Sequence, residues 1–133
     1  MLDTIILTYF IFETIHFAAG FIRCLIFPEI VINAYTLQPS SPTCIKSLEM
    51  VKVLKSFYLL LLILSAYTAG HLSIAFPSLL VLAIFYWSLL IQDIYDFVTE
   101  GFQWNKRNKY IYSAIHLVLG IVSFILCVLV KIY

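Results

Sequence analysis

The sequence predicts an all-α protein, a four-helix transmembrane bundle with residues 1–133 in one membrane domain, and three observations lead there. Hydrophobic residues make up 63% of the chain and charged ones 11%, with a mean hydropathy of +1.04. Ordinary soluble domains carry about 25% charged residues, and a small water-soluble chain leaves too much surface exposed to hide so many apolar side chains. Four stretches, about 4–27, 50–71, 77–98 and 110–131, each supply the apolar length needed to cross roughly 30 Å of hydrocarbon. Seven of the eight cations fall in or toward the first and third connections between them, as the charges flanking membrane spans do.

The first span closes at IFPE, where Pro28 ends the hydrogen-bond ladder and steers Phe27 toward an extended conformation. PEIVINAY then reads as an interfacial segment and QPSSPT, 38–43, as turn and loop. GHLSIAFP, 70–77, is so short that the second and third spans must be antiparallel neighbours. The third span ends QDIYDFVTEG, with Gly101 as its expected C-cap. FQWNKRNKY, 102–110, leads into the fourth.

Orientation follows from the cations. Arg23, Lys46, Lys52, Lys55, Lys106, Arg107 and Lys109 fall on one side and Lys131 alone on the other. Lys and Arg favour the cytoplasmic face, so the loops 28–50 and 99–109 are expected to be cytoplasmic and both termini lumenal or extracellular, in the endoplasmic reticulum or plasma membrane. Trp104, Tyr110 and Tyr112 on one side, with Tyr9 and Tyr133 on the other, suit interfacial belts. The start, MLDTIILTYF, lacks a basic region and reads as a retained anchor.

Polar residues inside the spans are the candidates for function, because ionisable groups in hydrocarbon are costly. Glu13, His16, Gly20 and Arg23 are spaced three, four and three apart, which places them along one helical face. Glu13 and His16 fall near the membrane centre and, with His116, are the candidates for an intramembrane polar pocket. A lipid-facing acid costs about 2.5 kcal/mol or more, so this face is expected to point inward. In the fourth span Ser113, His116, Gly120, Ser123 and Cys127 repeat the period with small residues, a close-packing seam. IHFAAG and IHLVLG share Ile-His-x-x-x-Gly and put His16 and His116 at similar depth. Gln92, Asp93, Asp96 and Glu100 crowd the third helix C-terminus, where acids oppose the macrodipole and call for cations. An interfacial ion-pair network with Arg23 or Arg107, or a headgroup site, is expected there.

Several chemistries are disfavoured. A net charge of +1 gives no handle for nucleic acid. Cys24, Cys44 and Cys127 contain no CxxC pair. Glu13-x-x-His16 lacks the second Glu-x-x-His of a di-iron bundle, so no metal or cofactor is expected, and no nucleophile–base spacing marks an enzyme. Gly20-x-x-Arg23 with Phe27-Pro28, the tight second hairpin, the acids before Gly101 and His116 in the fourth span resemble small four-span DoxX-like families and, more loosely, the ergosterol-biosynthesis scaffold family. Gln92, Asp93 and Asp96 stand where that scaffold has His and Ser-Glu. The resemblance implies a membrane bundle that assists or binds other components, with no catalytic residues to carry over. Three functions are therefore expected, in order. The first is a non-enzymatic scaffold or accessory subunit contacting another membrane protein or its own copies. The second is a lipid- or sterol-binding, or isomerising, protein using Glu13, His16 and His116. The third is a small transporter or proton-relay oligomer.

Overall fold

The structure, a computed structural model, describes residues 1–28, 42–100 and 106–133. These form four helices, α1 (Leu2–Ile26), α2 (Pro42–Gly70), α3 (Ala75–Glu100) and α4 (Lys106–Ile132), with a 3-10 turn at Leu72–Ile74 between α2 and α3. All four are long and apolar enough to cross a membrane, over Leu2–Ile26, Val51–Gly70, Leu72–Thr99 and Tyr110–Ile132. Helix is what such segments must form, because hydrocarbon offers no partner for a free backbone N–H or carbonyl.

The ends differ from the expected boundaries for local reasons. Phe27 leaves the helix at φ −125° and ψ 51°. It stops short of the extended conformation because its N–H still bonds the Arg23 carbonyl at 2.9 Å. Helix α2 begins at Pro42, inside the stretch read as loop, since the missing N–H of proline is no loss in a first turn. The loop expected over 28–50 is therefore helical from 42 onward. Pro77 is likewise tolerated as the third residue of α3. Helix α4 starts at Lys106 rather than 110, so the loop expected over 99–109 is helical at both ends. PEIVINAY beyond Pro28, Gly101 and Trp104 lie outside the described residues.

The closest-packed neighbours are α1 with α2 and α3 with α4. Glycine eases one approach: a Cβ at Gly20 would stand 3.1 Å from the Tyr58 ring, tighter than most side-chain contacts, so the ring would have to give way. The two pairs then meet through side chains. Thr68 and Ser78 hydroxyls bond at 2.8 Å beside the α2–α3 turn, and Ile6, Phe10, Phe17, Leu61, Leu79, Leu82 and Leu126 fill the interior. Outward faces are apolar, with Ile15, Ile91 and Val98 mostly exposed; in a bilayer these meet lipid. Tyr110 and Tyr133 are exposed as anchors would be, but Tyr9 is buried inside the bundle rather than in a lumenal belt.

Candidate functional site

Helix α1 turns Ile6, Phe10, Glu13, Phe17 and Cys24 inward. Glu13 is fully buried, so its carboxyl must find partners inside the protein. One oxygen, Oε2, accepts from the Tyr86 hydroxyl of α3 at 2.5 Å and lies 3.2 Å from His16 Nδ1. The same Tyr86 oxygen is 3.0 Å from His16 Nδ1. These three atoms form a closed triangle. Because Tyr86 gives its hydrogen to Glu13, both neighbours of Nδ1 are oxygens able to accept, an arrangement that suits the tautomer with hydrogen on Nδ1. The other ring nitrogen, Nε2, is then a free acceptor. Ring packing holds the arrangement: His16 stacks on Tyr86 at 6.2 Å and on Phe17 at 5.2 Å. One turn back along α1, Tyr9 and Ser123 join α1 to α4 through a 2.6 Å hydroxyl pair.

A second carboxylate–imidazole pair lies beyond Tyr86, two turns further along α3. Asp93 Oδ2 is 2.8 Å from His116 Nδ1 and accepts from the Ser113 hydroxyl at 3.4 Å. His116 sits 6.3 Å from the Tyr86 ring, so the two histidines flank one tyrosine. Asp96 is buried and accepts from the Gln92 amide at 2.9 Å.

The seam between α1 and α4 opens at the outer surface of the bundle. A cavity of about 520 Å³ there is lined by Phe12, His16, Ala114, Ile115, Val118 and Leu119. A second, of about 510 Å³, continues beyond Phe12 toward the start of α1 and reaches Tyr9. His16 is thus a polar side chain on an apolar wall, one-third exposed. Its inner nitrogen is tied to Glu13.

The inward stripe expected on α1 divides. Glu13 lies inside, His16 at the edge and Arg23 on the exposed side. Among the described residues no ion pair joins Arg23 to Asp93 or Asp96. Arg107 is exposed, and the Glu100 side chain lies outside what is described. On α4 the small-residue seam faces inward, with Gly120 against Tyr86 and Trp87 and Cys127 Sγ 3.8 Å from the Phe76 carbonyl. Tyr86 was missed by sequence reasoning. Its signal is the seven-residue step to Asp93 on the face of α3 that also carries Leu79 and Leu82. No cluster of three or more His, Cys, Asp or Glu side chains able to hold a metal occurs among the described residues.

Fold and site together define an integral, multi-pass, helical membrane protein with polar side chains gathered inside its bundle. No family model, curated protein or solved structure matches the chain.

Proposed function

We propose that this protein binds a hydroxyl-bearing lipid or sterol in the α1–α4 seam, with His16 Nε2 accepting the hydroxyl hydrogen. The observation that carries this reading is an imidazole on the wall of an apolar cavity that opens at the bundle surface, with Nδ1 held by a buried carboxylate and a tyrosine. A carboxylate behind one ring nitrogen fixes the tautomer and makes the other a better acceptor. The cavity lies within the range of small-molecule sites, about 300–1,000 Å³. The ligand's body would pack on Phe12, Ile115, Val118 and Leu119. Charge asymmetry supports the orientation with Arg107 cytoplasmic and both termini lumenal or extracellular, in the endoplasmic reticulum or plasma membrane.

The test is photo-crosslinking of the full chain in lipid nanodiscs with a photoreactive sterol and its counterpart lacking the hydroxyl. The sterol should label α1 or α4 beside the seam. His16→Ala should reduce that labelling severalfold, and the hydroxyl-free probe should label weakly in both. Equal labelling by the two probes, or no effect of His16→Ala, would refute the reading. A stoichiometric protein partner over the seam, with no sterol labelling, would instead favour the accessory-subunit role.

A further inference from the structure

Helices α2 and α3 bond through Thr68 and Ser78 beside their turn and then leave a cavity of about 520 Å³ between them. Its walls are apolar along most of their length. Phe57 of α2 and Phe85 of α3 both line it, with ring centroids 6.3 Å apart, and Val81 and Ile84 stand exposed at its rim. The volume suits a small-molecule site, about 300–1,000 Å³.

Three polar residues interrupt this lining, Ser88, Gln92 and Asp96, four apart and so on one stripe of α3. The Ser88 hydroxyl bonds the Ile84 carbonyl at 2.7 Å. Gln92 donates its amide N–H to Asp96 Oδ1 at 2.9 Å, which leaves the amide carbonyl oxygen as an acceptor. Asp96 is 1% exposed and is the one ionisable residue on the cavity among the described residues. A buried acid is costly unless donors or a cation answer it. A carboxylate has about four acceptor positions, so a ligand's donors can join those the protein supplies. The nearby C-terminal end of α3 adds negative partial charge, so this end of the cavity selects a cation over an anion.

Position along the helix fixes the ligand's shape. Asp96 lies just inside Thr99, where the apolar span ends. From there the cavity extends back to Val81, about 22 Å at 1.5 Å per residue. A charged group at the edge of the hydrocarbon with an apolar channel behind it matches a single-chain amphiphile. We infer that the α2–α3 cavity binds a long-chain amine, its ammonium on Asp96 and the Gln92 carbonyl oxygen and its alkyl chain along Phe57 and Phe85. The three N–H donors of a primary ammonium suit that acceptor pair. A phospholipid fits less well, because its phosphate would bring a like charge to Asp96. The site lies on helices other than those that form the His16 seam and does not depend on a ligand there.

Photo-crosslinking of the full chain in phosphatidylcholine nanodiscs tests it, with a photoreactive long-chain primary amine and its N-acetylated counterpart, which keeps the chain and loses the charge. The amine should label α2 or α3 beside the cavity, and the N-acetylated probe should label severalfold less. Asp96→Asn should reduce amine labelling severalfold, whereas His16→Ala should leave it unchanged. Equal labelling by the two probes would make the cavity an ordinary lipid groove and overturn the inference. So would labelling indifferent to Asp96→Asn, or labelling lost in His16→Ala alone. Should Asp96→Asn not fold, Ile84→Trp at the exposed rim decides it: the bulkier side chain should exclude the probe, and undiminished labelling would refute the site.

Discussion

Replacing Tyr86 by Phe removes one oxygen and leaves the ring stacked on His16 and Phe17 and edge-on to Phe85. Glu13 then loses its 2.5 Å donor and keeps His16 Nδ1 at 3.2 Å. Hydrogen bonds to charged groups contribute about 1.5–3 kcal/mol in soluble proteins. In membrane proteins the mean is nearer 0.6 kcal/mol and the maximum about 1.7, because the unfolded chain in lipid also finds partners. The bond here is short and wholly buried, so the overlap of the two ranges applies and Tyr86→Phe should cost about 1.5 kcal/mol. A double-mutant cycle with Glu13→Leu, read as unfolding free energy in mixed micelles, isolates the pair. The double variant should be more stable than the sum of the single losses predicts, with a coupling near 1–1.5 kcal/mol. Additivity to within about 0.3 kcal/mol would show that the hydroxyl and carboxyl do not interact, and the triangle on which the site rests would fall.

Other consequences are equally direct. Gly120→Ala meets only ordinary contacts at 3.5 Å and should gain about 0.5 kcal/mol from helix propensity, whereas Gly20→Ala drives a methyl to 3.1 Å from the Tyr58 ring and should lose about 1 kcal/mol in the same unfolding assay. Ser123→Ala strips Tyr9 of its 2.6 Å partner and should cost about 1 kcal/mol, with Tyr9→Phe adding little on top. Cysteines introduced singly into a cysteine-free chain at the exposed positions Gly70 and Arg107 should react with impermeant reagents from opposite sides of the membrane, Arg107→Cys from the cytoplasm. Labelling of both from one side would reverse or discard the topology.

The spans were legible because hydrophobic length is set by the bilayer and needs no tertiary knowledge. The inward face of α4 was legible too, since Ser113, His116, Gly120, Ser123 and Cys127 share one period. Arg23 shows where periodicity stops being sufficient. It lies on the same nominal face as Glu13, but by the last turn of α1 it is at the exposed margin, where a long cation can reach water without entering the bundle. Tyr9 and Tyr86 were illegible for another reason. A tyrosine that anchors at an interface and one that bonds a buried acid have the same composition, and only the helix opposite distinguishes them. Partner choice in the site, Glu13 with Tyr86 and Asp93 with His116, comes from how two helix pairs dock. Spacing along single helices does not encode that docking. The helix starts at Pro42 and Lys106 hid behind polar, loop-like composition, although proline is at home in a first turn.

The most direct measurement of the central claim is native mass spectrometry of the full chain extracted from its membrane without delipidation. Wild-type protein should carry one retained hydroxylated lipid, and His16→Ala, folded and expressed alike, should lose it. Retention of the same lipid by His16→Ala, or a wild-type chain that carries none, would contradict the account.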